Sequence, residues 1–275
     1  MLIITKHLDV GGTEKMLLRF LPVFVSLGYK IDLCLLYNYR MPINVETDLD
    51  LSNDQIKVFS IFPNKTNDYK QLMKKTPRKV YYSVIHDTYD VEIAFQESYA
   101  TKLVSTSKNS KSIKIAWVHS NFQEYHFSAD AYVSDNEELN VYSKFNKIIF
   151  CSESAQKAFD KTLKNGFVNK EVVYPLICST SCNEHASQKP SLIRESHFLV
   201  ISRYSPQKGL DRLIRAAHIL KAYSISFEII IVGKGELEQA LKKMIKAYDL
   251  LDEVKLVPAT PNPFPYFYNC IGYIS

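Results

Sequence analysis

The sequence predicts an α/β protein made of two doubly wound domains that face a cleft. Short apolar runs alternate with helical patterns along the chain, and strands separated by helices form mostly parallel sheets covered on both faces. A polar stretch interrupts this rhythm, and the same alternation starts again after it. With 275 residues, of which 46% are hydrophobic and 23% charged, the chain is long enough for two ordinary domains.

The first series of elements gives an amino-terminal domain over residues 1–178. A helix is predicted from about Thr13 to Leu27, after the first apolar run. Helical or irregular segments separate the runs that follow, so each connection is a crossover and the strands lie parallel. In chain order the predicted strands are LIITKHL, KIDLCLLY, IKVFSI, VEIAFQ, KIAWVHS, KIIFCSES and EVVYPLI.

The stretch STSCNEHASQKPS, residues 179–191, is rich in Ser and other polar residues and predicts a linker between the domains. A second domain over residues 192–275 follows. Its helices are predicted at Gly209 to Tyr223 and Glu236 to Tyr248. Its strands are HFLVISR, SFEIIIVG, VKLVP and IGYIS.

Composition excludes several classes of function. The net charge of +5 is spread along the chain and lacks the dense basic stripe of a nucleic-acid-binding protein. No segment reads as a secretory signal or a membrane span, so we expect a cytoplasmic protein. The five cysteines are typical of reduced thiols. Cys178 and Cys182, with His185 nearby, fall short of the four ligands of a structural zinc site, so no metal is predicted.

One basic cluster, KQLMKKTPRKVYY from Lys70 to Tyr82, combines lysine and arginine with tyrosine. Such a cluster is predicted either as a solvated face beside a loop or as a contact with an anionic membrane. The solvated face is the favoured interpretation.

Ligands of open parallel sheets bind beyond the carboxyl ends of the strands, so the loops after strands are the candidate sites. The first candidate is DVGGTEK, in which Gly11 and Gly12 allow a close approach of the backbone. Thr13 is expected to cap the following helix, whose amino end attracts negative charge. The alternative interpretation is structural, because a tight turn from strand to helix requires glycine as well.

Two further loops follow strands of the second domain. In ISRYSPQKGLDRLI, Arg203 leaves a strand and Lys208 comes just before a helix, which predicts a diphosphate site. Solvated surface charge is the alternative interpretation. In VGKGELEQ, Gly233 and Gly235 form a turn that could approach a nucleotide. This turn is not a Walker loop, because no Ser or Thr follows its lysine.

These residues carry a resemblance to a known family. The segments GGTEKMLLRFLPVFVSLGYKIDLCLL, AWVHSN, KIIFCSESAQKAF, ISRYSPQKGLDRLIRAA, IIIVGKGELEQAL and PNPFPYFYNCIGYIS, in this order, resemble the family 4 (group 1) retaining glycosyltransferases. These enzymes have two Rossmann-like domains, an architecture called GT-B. The resemblance implies transfer of a hexose-type sugar from a nucleotide diphosphate sugar to an acceptor hydroxyl with retention. Many bacterial relatives build capsule, lipopolysaccharide or exopolysaccharide.

The resemblance also implies roles for single residues. Arg203 and Lys208 match the pair that holds the donor diphosphate, and Gly11 and Gly12 match the glycine turn beneath it. His119, in WVHS, matches a histidine that approaches the transferred sugar from the amino-terminal, acceptor-side domain.

Further along the chain, Gly233, Gly235 and Glu236 would lie near the nucleotide. Ser152 and Ser154 are expected to start a helix instead, and Trp117 to lie in the core. No metal or cofactor is implied besides the donor. The expected partners are the nucleotide sugar and a glycan or lipid-linked glycan acceptor.

One feature departs from the family. There, the strand matching IGYIS leads into a Ser- and Gly-rich loop with a glutamate, and a second glutamate follows eight positions later. This sequence ends at Ser275. Glu228 and Glu236 are also eight positions apart, but we interpret this spacing as coincidental. The resemblance therefore predicts an incomplete second domain, either in a fragment whose activity requires further sequence or in a remnant. The remnant would be non-catalytic and would act at most as a nucleotide-sugar-binding or interaction module.

Overall fold

A computed structural model describes residues 1–8, 11–37, 54–62, 69–164, 166–175, 196–260, 262–268 and 270–275. The chain divides into two compact units, Met1–Leu176 and Ile177–Ser275. The predicted linker over 179–191 lies outside the described residues, as do Cys178, Cys182 and His185. The linker and the exact domain bounds therefore stay predictions.

The first unit contains a seven-stranded sheet in the order β3-β2-β1-β4-β5-β6-β7. Every neighbouring pair is parallel, as the crossover pattern predicts. Its strands are β1 (Leu2–Thr5), β2 (Ile31–Tyr37), β3 (Ile56–Phe62), β4 (Val91–Ala94), β5 (Ile113–Val118), β6 (Lys147–Phe150) and β7 (Lys170–Val172).

Helices connect these strands and supply the cover on the two faces. They are α1 (Gly12–Ser26), α2 (Tyr69–Lys75), α3 (Pro77–Val84), α4 (Tyr99–Val104), α5 (Asp135–Tyr142) and α6 (Glu153–Leu163), with a 3₁₀ helix, η1 (Phe127–Ala131). The central strand shows why the apolar runs are continuous rather than alternating. Leu2 and Ile4 pack into one core and Ile3 into the other, so both faces of β1 are buried.

The second unit contains a four-stranded parallel sheet in the order β10-β9-β8-β11. Its strands are β8 (His197–Ile201), β9 (Ile229–Gly233), β10 (Val254–Pro258) and β11 (Cys270–Tyr273). Its helices are α7 (Leu210–Ala222) and α8 (Glu238–Ala247), with 3₁₀ helices η2 (Pro206–Lys208) and η3 (Phe264–Phe267). All residues of β9 are buried, as the run IIIVG predicts for a central strand.

Helix starts confirm one local prediction and correct another. Ser152 caps α6, since its hydroxyl accepts a hydrogen bond from the N–H of Ala155 at 3.2 Å. The prediction that Thr13 caps α1 is wrong. The helix begins at Gly12 with Gly11 as an extended cap residue, which places Thr13 inside the first turn. In the part of the chain that the structure describes, no helix has the length and apolar character needed to cross a membrane.

Candidate functional site

The second unit presents the predicted diphosphate loop at the carboxyl edge of its sheet. Arg203 follows β8 by two residues, and the chain then makes one turn of 3₁₀ helix that ends at Lys208. Gly209 links this turn to α7 with φ 60°, a left-handed conformation that glycine adopts at low cost. The loop therefore delivers Lys208 directly to the start of a helix of 13 residues.

Positive charge accumulates around this helix start. Arg203 and Lys208 are exposed, and neither forms an ion pair with any residue that the structure describes. The Arg212 side chain lies over Gly209, where a Cβ would come 2.6 Å from its guanidinium. The first N–H groups of α7 lack partners within the helix and add partial positive charge. The loop can therefore hold an anion through charge-assisted hydrogen bonds.

Gly233 and Gly235 have a packing reason for being glycine. A Cβ on Gly233 would lie 1.9 Å from the carbonyl oxygen of Ser202, and one on Gly235 would lie 2.4 Å from that of Tyr204. The backbone carbonyl oxygen of Tyr204 accepts a hydrogen bond from the N–H of Leu237 at 3.0 Å. The two glycines thus let the loop after β9 lie directly against the loop that carries Arg203.

Tyr204 was not singled out by the sequence, yet it holds this edge of the sheet together. It is 1% exposed, and its hydroxyl lies 2.8 Å from the carbonyl oxygen of Ile231 and 2.9 Å from that of Val257. Burial raises the pKa of this phenol well above its usual 10. The side chain is therefore a structural hydrogen-bond donor beneath the diphosphate loop.

The two glutamates with family-like spacing lie at opposite ends of β9. Glu228 precedes the strand, is 6% exposed and lies 2.5 Å from the Nζ of Lys255. Glu236 follows the strand and is exposed beside the glycine turn. The spacing therefore does not bring the carboxylates together, and Glu236 is the one near the candidate site.

In the first unit, Gly11 and Gly12 lie where β1 gives way to α1. A Cβ on Gly11 would come 2.2 Å from Oε2 of Glu14, so this glycine makes room for a carboxylate that is 8% exposed. The other carboxylate oxygen of Glu14 lies 3.5 Å from Nδ1 of His7. Gly12 has open space around it and is exposed. Of the pair, Gly12 therefore offers the freer backbone to a ligand.

His119 lies directly after β5 and is fixed on several sides. Its Nε2 is 2.9 Å from the carbonyl oxygen of Phe95, which makes this nitrogen the protonated one and leaves Nδ1 as an acceptor. Its ring is stacked on that of Trp117, with the ring centroids 6.2 Å apart. Trp117 is 3% exposed and lies in the core, as expected. Burial lowers the pKa of His119 below 6.5, against the opposing effect of Glu97. The imidazole is therefore neutral at pH 7.

Glu97 is a second buried carboxylate that the sequence did not reveal. It is 2% exposed, and it accepts hydrogen bonds from the N–H groups of His119 at 3.1 Å and Ser120 at 2.9 Å. The Ser120 hydroxyl donates to it as well, at 2.5 Å. The carboxylate thus holds the end of β5 in one conformation and positions His119.

Glu97 also lines a cavity of about 160 Å³ at the carboxyl edge of the first sheet. The wall combines aromatic rings, two lysines, an amide and carboxylates, as a polar ligand with hydroxyl groups would require. Ser98 contributes backbone in an unusual conformation, with φ 86° and ψ −125°. The residues around the cavity are Lys6, Leu36, Lys70, Gln96, Glu97, Ser98, Tyr99, Ala100, Tyr125, Phe127 and Asp130.

The loop that carries Tyr125 and Phe127 over this cavity is anchored by an ion pair. His126 Nε2 lies 2.9 Å from Oε2 of Glu138, a carboxylate that is 1% exposed. The other oxygen of Glu138 accepts a hydrogen bond from the Ser128 hydroxyl at 2.9 Å. Glu138 raises the pKa of His126 above 6.5, although burial opposes it.

This pair predicts a pH-dependent contribution to stability. Because the folded-state pKa of His126 is raised, the contribution is complete below pH 6.5 and is lost as the pH rises through that raised pKa. We expect the free energy of unfolding in urea to fall more between pH 6 and pH 9 in the wild type than in His126→Gln. Equal pH dependence in the two proteins would contradict the pairing.

The predicted site residues fall into two groups. Gly11, Gly12 and His119 lie at strand ends of the first unit. The second unit brings together the remaining candidates at the carboxyl ends of β8 and β9, namely Arg203, Lys208, Gly233, Gly235 and Glu236.

Comparison with known proteins shows similarity to glycosyltransferases. Residues 184–269 match the family model for glycosyl transferases group 1. An uncharacterised glycosyltransferase of Haemophilus influenzae is 21% identical over 95% of this chain and 69% of its own length. The amylovoran biosynthesis glycosyltransferase AmsK of Erwinia amylovora is 40% identical over 73 residues, which are 26% of this chain and 18% of AmsK.

Solved structures match the fold at low sequence identity. Anabaena Alr3699/HepE, in complex with UDP and glucose, has a TM-score of 0.69 at 17% identity, over 99% of this chain and 72% of that protein. Staphylococcus aureus TarM, solved with UDP, has a TM-score of 0.68 at 13% identity, over 98% of this chain and 79% of TarM. The chain thus has the α/β fold of GT-B glycosyltransferases, and its sequence is similar to group 1 of that class.

Proposed function

We propose that this chain belongs to a group 1 glycosyltransferase that transfers a hexose-type sugar from a nucleotide diphosphate sugar to an acceptor hydroxyl with retention. The observation that carries the proposal is the pair Arg203 and Lys208, exposed at the start of α7 without a carboxylate partner among the described residues. The family match over residues 184–269 includes both residues. HepE and TarM, solved with UDP, support a diphosphate as the ligand.

In this proposal the loop binds both the donor and its leaving group. When the bond between the anomeric carbon and the diphosphate oxygen breaks, its electron pair stays with the diphosphate. Arg203 and Lys208 are positioned on this loop to neutralise the negative charge that develops. The acceptor oxygen forms the new bond on the same face of the sugar, and its proton passes to the departing diphosphate oxygen.

We propose that His119 contacts the transferred sugar. As a neutral imidazole with its Nε2 proton donated to Phe95, it can accept a hydrogen bond from a sugar hydroxyl at Nδ1. From the resemblance, Gly11 and Gly12 are proposed to bind the donor substrate. Gly233, Gly235 and Glu236 lie near the nucleotide, with the glycines also required for packing.

The acceptor is proposed to bind in the cavity of the first unit. Tyr125 and Phe127 offer stacked rings, with centroids 6.2 Å apart, on which a sugar can lie. Gln96, Lys6 and Asp130 supply polar groups that can bind hydroxyls. The acceptor class is a glycan or lipid-linked glycan of bacterial surface polysaccharide synthesis. This assignment follows the sequence resemblance and the name of the relative AmsK. We propose the cytoplasm as the location of the reaction, as expected from the sequence.

Donor binding and transfer test this function separately. Calorimetric titration of the 275-residue chain should show tighter binding of a nucleoside diphosphate than of the matching monophosphate. Incubation of the protein with labelled donor and acceptor should give a product whose anomeric configuration, measured by proton NMR, equals that of the donor. An inverted product would contradict retention, and equal binding of monophosphate and diphosphate would contradict the diphosphate site.

A further inference from the structure

We infer that the turn formed by Glu97 and Ser98 sets the position of His119 relative to the cavity of the first unit, with Glu97 as a positioning residue for the transfer reaction. Both residues of the turn line that cavity. The inference rests on the proposed function, because His119 and the cavity have roles in transfer only there. The positioning itself can be measured without any transfer.

Two groups of the segment after β4 fix His119. The carbonyl oxygen of Phe95 lies 2.9 Å from Nε2 of the ring. Two residues further on, one oxygen of the Glu97 carboxylate accepts the N–H of His119, and the other oxygen accepts the N–H of Ser120. The segment therefore holds both the ring and the backbone of His119.

The position of Glu97 requires a carboxylate rather than an amide. Both of its oxygens face backbone N–H donors, and the Ser120 hydroxyl is a third donor. A glutamine has one acceptor oxygen and one NH₂ group, so in either orientation its NH₂ would face a backbone N–H. Because Glu97 is 2% exposed, little water can replace the lost hydrogen bond. We therefore expect glutamine at this position to displace His119.

Ser98 turns the chain from Glu97 into α4 in a strained conformation. Its φ of 86° and ψ of −125° lie in a region that glycine adopts readily and serine does not. Such a conformation persists where the surrounding structure fixes it. The carbonyl oxygen of Ser98 lies 2.7 Å from the Thr101 hydroxyl, and 3.1 Å from both the Tyr132 hydroxyl and the backbone nitrogen of Lys102. Three donors therefore hold the strained turn.

The groups that hold the Ser98 carbonyl are themselves buried and fixed. Thr101, Lys102 and Tyr132 are 0%, 2% and 6% exposed. The Nζ of Lys102 donates to the carbonyl oxygen of Ala131 at 2.9 Å and lies 2.8 Å from Oε1 of Glu137. These contacts tie α4 to the start of α5, so the turn cannot move without breaking buried hydrogen bonds.

The change Glu97→Gln, made in the full chain, tests the role in transfer. We expect the NMR signals of the His119 N–H and ring nitrogens to move and kcat to fall about 100-fold, as displacement of a group at the reaction site by about 1 Å can cause. Glu92→Gln is the matched control. Glu92 lies on β4 and is 1% exposed, but its partners are the hydroxyls of Tyr81 and Ser107, which can accept from an amide as well as donate. This control should keep the His119 signals and the kcat of the wild type.

A second variant releases the strain and keeps the turn. Glycine adopts a φ of 86° at low cost, so Ser98→Gly should raise the melting temperature by about 2 to 4 °C and leave kcat unchanged. Loss of transfer in this variant would show that the serine side chain is required rather than the turn, and would overturn the inference.

NMR of the wild type decides the positioning even if Glu97→Gln does not fold. The His119 ring should carry its proton on Nε2, and the N–H groups of His119 and Ser120 should be protected from hydrogen exchange. A proton on Nδ1 or rapid exchange of both N–H groups would overturn the inference. So would unchanged His119 signals in Glu97→Gln, or equal losses of kcat in Glu97→Gln and Glu92→Gln. If the wild type transfers no sugar, the proposed function fails, whereas moved His119 signals would still identify Glu97 as the residue that positions it.

Discussion

Replacing Arg203 or Lys208 by glutamine should abolish most of the affinity for a nucleoside diphosphate. Each substitution removes one charge-assisted contact, for which we expect a loss of about 2 to 4 kcal/mol in donor or transition-state binding. This corresponds to a decrease of roughly 30- to 1000-fold. Folding should change little, because both side chains are exposed and lack a carboxylate partner among the described residues.

Two measurements separate this effect from a general loss of charge. Calorimetry with a nucleoside diphosphate should show the loss in both variants. Arg215→Gln, on α7 and paired with Asp211 at 3.3 Å, should bind like the wild type. Urea unfolding should give equal stabilities for all of these proteins. Wild-type affinity in either Arg203→Gln or Lys208→Gln would refute the diphosphate assignment.

Substituting alanine for Gly233 or Gly235 should unfold or strongly destabilise the second unit. The added Cβ would meet backbone atoms of Ser202 at 1.9 Å or of Tyr204 at 2.4 Å, and backbone cannot move aside as a flexible side chain can. We expect a loss of more than about 3 kcal/mol, at the high end for overpacking, because two loops must separate. Thermal unfolding followed by circular dichroism measures this loss.

The control for this prediction is a glycine with open space around it. Gly166 has no atom within 4 Å of a built Cβ, so Gly166→Ala should change the melting temperature little. If Gly233→Ala and Gly235→Ala melt like Gly166→Ala, the two loops do not pack as described. Loss of nucleotide binding with normal stability would instead assign the glycines to ligand contact alone.

The fold could be predicted from the sequence because buried parallel strands have a clear signature. The run IIIVG forms β9, and LIIT forms β1, because a strand covered on both faces has no polar side to show. The start of α6 at Ser152 could also be predicted, because serine is a preferred capping residue at helix starts. The prediction that Thr13 caps α1 was wrong because the extended residue before the helix is Gly11. The residue types alone do not determine at which of these neighbouring positions the helix begins.

The site was only partly readable, for a different physical reason. Arg203 and Lys208 could be predicted as site residues, because they lie close together in sequence just before a helix. Glu97 could not be predicted, because charged residues are normally exposed, and its burial depends on partners distant in sequence. It receives hydrogen bonds from His119 and Ser120. Tyr204 was missed likewise, since its partners belong to β9 and β10.

Amide NMR mapping of donor binding to the isotope-labelled chain tests whether the loop of Arg203 and Lys208 binds the diphosphate. On titration with a nucleoside diphosphate, we expect the N–H signals of Gly209 and Leu210 and the side-chain signal of Arg203 to shift together with one dissociation constant. The Lys208→Gln variant should show the same shifts only at much higher ligand concentration. Shifts confined to the first unit, or no shift at Gly209, Leu210 and Arg203 at saturating ligand, would contradict the diphosphate site.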